Sequence, residues 1–111
     1  MQITVSKIDR GVILYIDGRL DVVTSPGLRD KIMELIEGGQ ISLVIDCALL
    51  SYIGSAGLRV FYQALAKVEE KGGKLALCRP REEVHRVFDM VDMASEIPIF
   101  SDKEEAIKSL A

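Results

Sequence analysis

Ile41-Ser42-Leu43-Val44-Ile45-Asp46-Cys47 is almost continuously apolar and is followed, after an expected loop through Ser51-Tyr52-Ile53-Gly54, by Leu58, Phe61, Leu65 and Val68 at helical spacing. A short apolar run reads as a strand covered on both faces, and the stripe after it as an amphipathic helix closed by Lys71-Gly72-Gly73. The same unit recurs on either side. Upstream, Val12 to Ile16 is an apolar run interrupted by Gly18, with Arg19-Leu20-Asp21 leading out of it. Ser25-Pro26 then opens a helix carrying Leu28, Ile32, Leu35 and Ile36, with Ser25 as expected cap and Pro26 first in the helix. Downstream, Lys74–Cys78 reads as a short strand and Pro80 to about Met90 as a third helix. Ile97-Pro98-Ile99 reads as an edge strand, since proline cannot donate to a ladder. Ser101 with Glu104 forms an expected capping box for a last helix.

Before all this, Ile3 and Val5 alternate with Gln2, Thr4 and Ser6, and Asp9-Arg10-Gly11 turns the chain back into Val12. So short a turn implies an antiparallel hairpin. The order predicts a single α/β domain over residues 1–111. Its expected mixed sheet has roughly four to five strands, an opening antiparallel hairpin and then parallel strands, packed with about four helices.

The charge balance, 14 Lys and Arg against 17 Asp and Glu, lacks the clustered positive charge of a phosphate-tracking nucleic-acid binder. Aromatics at 5% with no Trp argue against a base-stacking platform. The longest apolar run falls far short of a bilayer span, and Met1-Gln2-Ile3-Thr4 has no look of a signal peptide, so a cytoplasmic protein is expected. Cys47 and Cys78 have no second pair to make a zinc site and read as free, buried hydrophobes.

Asp21, Asp46 and Ser55 are expected at the carboxyl ends of the parallel strands, where such sheets meet ligands and partners. Each also has a plain reading: turn and cap chemistry for the aspartates, a helix N-cap for Ser55. Catalysis finds little support. There is no phosphate-binding Gly-Lys-Ser loop, and His85, the sole imidazole, is expected on an exposed helix face. Gly54-Ser55-Ala56-Gly57 lacks the first glycine of a nucleophile elbow, because Ile53 stands there. Two aspartates at strand ends could hold a magnesium ion, but such a site generally needs a substrate phosphate or a third ligand as well. No cofactor and no metal are expected.

The segment Leu43-Val44-Ile45-Asp46 with Ile53-Gly54-Ser55-Ala56-Gly57-Leu58 resembles the STAS domain of bacterial anti-sigma factor antagonists. So do Gly18-Arg19-Leu20-Asp21 with Thr24, Gly72-Gly73-Lys74-Leu75, and Glu104-Glu105-Ala106, in order along essentially the whole chain. The resemblance implies a binding module, not an enzyme. Such a protein binds a kinase-type anti-sigma factor and thereby frees a sigma factor. Phosphorylation of a serine at a helix start, here Ser55, releases it, and a phosphoprotein phosphatase resets it.

The resemblance also places Asp21 and Asp46 beside the phosphorylated surface. Gly54 and Ala56, which flank Ser55 and are expected partner contacts with Asp21 and Asp46, stand where the family commonly has Asp and a second Ser. Gly57 is a small first-turn residue, suited to close helix packing or to approach of a partner's backbone. Arg59 points off the apolar stripe and is a candidate partner contact, whereas Leu58 belongs to the core. Met90, Val91 and Met93 suit either core filling or an adaptable surface. Two alternatives remain: an unphosphorylated STAS scaffold or transporter-associated subunit, and a small phosphoester-acting enzyme using Asp21, Asp46 and Ser55.

Overall fold

The hairpin forms where the alternation places it. In the computed structural model, which describes Met1–Ala111, β1 (Gln2–Ile8) pairs antiparallel with β2 (Gly11–Leu20), from Gln2↔Asp17 to Ile8↔Gly11. Then β3 (Ser42–Ile53), β4 (Lys74–Cys78) and β5 (Ile99–Phe100) add in parallel, giving a five-stranded sheet in the order β1-β2-β3-β4-β5. Because each crossover advances one strand in the same direction, right-handed connections place the intervening helices on one face. These are α1 (Ser25–Glu37), α2 (Ser55–Glu70) and α3 (Glu82–Met90). Their Leu28, Ile32, Phe61, Ala64 and Phe88 bury against Leu14, Ile16, Leu43 and Ile45 in the main core. The last helix, α4 (Lys103–Lys108), crosses to the other face. There Ala106 and Leu110 cover Ile13, Val44 and Ala76 in a smaller core.

Several boundaries differ from the expectation. β2 passes through Gly18 to Leu20, and β3 runs on to Ile53 and takes in Ser51 and Tyr52, which were expected in a loop. Two register irregularities, at Tyr15/Asp17 and Gly18/Arg19, let the β2–β3 ladder continue. Leu20, Leu50 and Ile53 stay buried along it, and the Ser51 hydroxyl donates to the Gly18 carbonyl at 3.1 Å.

The helix caps shift by one residue. Thr24, not Ser25, precedes α1, with Pro26 second in the helix. Asp102, not Ser101, caps α4 by accepting from Glu104 N at 2.8 Å. α3 starts at Glu82, after Arg81 in extended conformation. Pro98 lies just before β5, its carbonyl accepting from Leu77 N at 2.9 Å.

Met93 is fully buried in a 3-10 turn (Met93–Ser95), whereas Met90 is 83% exposed, so the methionine cluster divides between core and surface. Cys47 belongs to the main core and Cys78 to the smaller one, on opposite faces of the sheet, and both thiols are free. Burial raises the Cys47 thiol far above its ordinary value and pushes Cys78 up to about 12, so both stay protonated and unreactive. No helix is long and apolar enough to cross a membrane.

Candidate partner-binding surface

The carboxyl end of β2 and the start of α2 are pinned together, because the Leu20 carbonyl accepts from Gly54 N at 3.0 Å. Directly after Leu20, Asp21 folds its carboxylate back into its own loop. Oδ1 accepts from Val23 N and Thr24 N, each at 3.0 Å. The Thr24 hydroxyl donates to the Arg19 carbonyl at 2.7 Å and accepts from Asp21 N at 2.9 Å. The Thr24 backbone N–H is the largest influence lowering the Asp21 pKa, opposed by desolvation and reinforced by the Thr24 hydroxyl, Val23 N and Arg19. An ionised Asp21 thus ties the turn, and the turn pushes Val22 and Val23 into solvent, 78% and 86% exposed.

Gly54, in extended conformation, is the N-cap of α2 and offers no side-chain cap. Ser55 is therefore the first helical residue rather than the expected cap, and it is exposed. Its N–H and that of Ala56 precede the first intrahelical bonds, which run from Gly57 N and Leu58 N to the Gly54 carbonyl. No acidic residue occupies this first turn, so the positive end of the helix dipole is uncompensated.

Gly57 is buried. A Cβ there would lie 2.7 Å from Leu20 Cγ and 2.8 Å from Ile53 Cγ1, so of its two readings helix packing is the one the geometry bears. Leu58 is half-buried and packs against the main core. Arg59 is exposed one turn after Ser55. With Val22, Pro26, Arg29, Ala56 and Gln63 it lines a shallow groove between α1 and α2.

Tyr52 and Arg19 escaped the sequence reading. The Arg19 guanidinium stacks 4.2 Å from the Tyr52 ring centroid, and a Cβ on Gly54 would sit 3.1 Å from the phenolic oxygen. The Cβ side of Gly54, beside Ser55, thus faces the Tyr52 ring, on which Arg19 stacks. Val22 and Val23 were missed too, although two valines in a loop between Asp21 and Ser25-Pro26 are a legible sign of an apolar contact point.

Asp46 does not join this surface. It lies in the first half of β3, opposite Tyr15 and Cys78, roughly 20 Å of strand before Ile53. It is 2% exposed, and its Oδ2 meets Arg79 Nη2 at 2.6 Å and Nε at 3.1 Å, while Oδ1 accepts from Ala48 N at 3.0 Å. This carboxylate is held inside by its own cation. Asp21, Asp46 and Ser55 therefore form no common centre, and the phosphoester-enzyme alternative loses its geometry. His85 is an exposed residue of α3, with Nδ1 3.4 Å from Asp89.

The family model described as the STAS domain matches residues 2–106. An anti-sigma-B factor antagonist of Bacillus subtilis is 31% identical over 108 residues, covering 97% of this chain and 98% of the relative. An anti-sigma F factor antagonist of Paenibacillus polymyxa is 31% identical over 103 residues, covering 91% and 88%. The crystal structure of an anti-sigma factor antagonist from Mycobacterium paratuberculosis superposes with a TM-score of 0.83 at 23% identity, covering 98% of this chain and 92% of that one.

Proposed function

The chain belongs to the STAS domain family, and from that membership we propose that residues 1–111 form one cytoplasmic anti-sigma factor antagonist. It is a binding regulator and not an enzyme. Its unphosphorylated form binds a kinase-type anti-sigma factor and frees the sigma factor; phosphorylation at Ser55 by that kinase reverses binding, and a phosphatase restores it. The relatives from Bacillus and Paenibacillus carry the antagonist name. The observation that carries the switch is Ser55 itself: exposed, first in α2, and not engaged as its cap. Around it, Val22, Val23, Ala56 and Arg59 supply an apolar contact with a cationic margin, and Asp21 holds the loop that presents them.

Electrostatics decides how phosphorylation acts. A phosphate adds about −1.5 to −2 charges. At an exposed helix N-terminus the dipole favours such a charge by ~0.3–1 kcal/mol, so the domain keeps its fold. In a docked interface the same charge must be desolvated or face like charges, at about 2–5 kcal/mol, which weakens binding roughly 30-fold to several thousand-fold. The interfacial effect is larger, and release needs no conformational change.

Calorimetric titration against kinase-type anti-sigma factors of the same genome tests this. Ser55→Ala should bind at least as tightly as wild type and Ser55→Asp markedly more weakly. Equal affinities of wild type and Ser55→Asp would retire the phosphoswitch. A kinase-type partner that binds the protein but adds no phosphate to it in the presence of ATP favours the scaffold or transporter-associated reading, which the absence of a carboxylate beside Ser55 supports.

A further inference from the structure

A second feature lies away from the Ser55 surface. The chain leaving β4 turns into α3 on the main-core face, and the chain leaving β5 turns into α4 on the opposite face. Neighbouring parallel strands whose connections diverge to opposite faces open a crevice at their carboxyl ends, the place where open α/β sheets bind small ligands. The largest cavity of the domain, about 530 Å³, is there, lined by Arg79, Pro80, His85, Ile99, Phe100 and Ser101. That volume suits a small organic molecule.

The lining has two sides. Pro80, Ile99 and Phe100 are half-buried and apolar, while Arg79, His85 and Ser101 are polar, with no carboxylate among them. Arg79 adopts φ 56°, a left-handed conformer that non-glycine residues seldom hold and that tends to accompany function. Nε and Nη2 are locked onto the buried Asp46, so the guanidinium is fixed in place and Nη1 keeps its hydrogen-bonding capacity. The acids that face the lining residues are engaged: Asp46 with Arg79, Asp89 at 3.4 Å from His85 Nδ1, and Asp102, next to Ser101, as the cap of α4.

We propose that this crevice binds a small organic acid, its carboxylate or phosphate held by Arg79 and Ser101 and its apolar body lying against Pro80, Ile99 and Phe100. It is a ligand site independent of the Ser55 switch and shares no residue with the α1–α2 groove.

The test is amide-resolved NMR titration of the whole chain with benzoate, phenyl phosphate and the neutral benzyl alcohol. The expected result is saturable shifts at Arg79, His85 and Ser101, with one or both acids at least about tenfold tighter than the alcohol. Benzoate alone would assign a carboxylate ligand, and phenyl phosphate alone a phosphate. Since Arg79 variants strand Asp46 and risk unfolding, Ser101→Phe serves as the blocking variant: it should keep the spectrum and abolish the shifts. Saturation by neither acid, equal binding of the alcohol, or shifts that survive in folded Ser101→Phe would overturn the proposal.

Discussion

Replacing Ser55 by Asp should make the domain more stable while making it a worse binder, and the size of the gain follows from the start of α2. Ser55 is the first helical residue, the first turn contains no acid, and the helix has no side-chain cap to lose. A carboxylate there meets the uncompensated dipole, for ~0.3–1 kcal/mol. It also stands four residues before the exposed Arg59, a pairing that adds about 0.3–0.5 kcal/mol. The sum, roughly 0.6–1.5 kcal/mol, corresponds to a rise of about 2–6 °C in Tm for a chain of this size. Thermal and urea unfolding of wild type, Ser55→Ala and Ser55→Asp measure it. Ser55→Ala should stay within about 0.5 kcal/mol of wild type, as an exposed site requires. The gain of Ser55→Asp should shrink in high salt and lose its pairing part when Arg59→Gln is added. A Ser55→Asp variant less stable than wild type would refute the reasoning. It would mean that the hydroxyl holds the start of α2, and that phosphorylation acts by disrupting the site.

Three other outcomes follow from the same contacts. Gly57→Ala pushes a methyl group against Leu20 and Ile53, so it should lower stability by about 1–3 kcal/mol in urea unfolding; a neutral result would remove the packing role of Gly57. Arg79→Ala leaves Asp46 buried without its cation and should cost about 2–3 kcal/mol, less than a fully buried pair because the Arg79 side chain is 43% exposed. Arg79→Gly, which relieves the left-handed backbone, should recover about 1 kcal/mol of that loss, and equal stability of the two variants would contradict the strain. Asp21 has a folded pKa below its ordinary value, so its contribution to stability is present above the unfolded pKa and fades as pH falls through the folded one. NMR titration of the Asp21 carboxyl should show this depression in wild type and its reduction in Thr24→Val; an undepressed carboxyl would contradict the loop geometry.

The alternating elements were legible because the signals were local. Ile3 and Val5 at period two, the stripe from Leu58 to Val68, and the Gly72-Gly73 stop each specify one element from its own residues. What escaped depends on residues distant in sequence. Asp46 looks like a strand exit beside Cys47, yet Arg79, the residue just past the end of the neighbouring β4, pairs with it and keeps it buried within β3. β3 extends through Ser51 and Tyr52 because β2 continues beside it, and neither strand alone announces that. Thr24 and Asp102 displace Ser25 and Ser101 as the residues before their helices. At α4 either residue could have capped, and only the backbone path selects Asp102. At the candidate surface, Asp21, Ser55, Ala56 and Arg59 lie where strand ends and helix starts place them. The Arg19–Tyr52 stack could not be read, since its partners belong to different strands.

The central claim is that Ser55 is a phosphoacceptor whose modification ends partner binding. Intact-mass spectrometry tests it most directly, after incubation with ATP and each kinase-type anti-sigma factor of the same genome, with Ser55→Ala in parallel. A single added phosphate on wild type and none on Ser55→Ala is the predicted result. No phosphate with a kinase that binds the protein, or equal phosphorylation of Ser55→Ala, would contradict it.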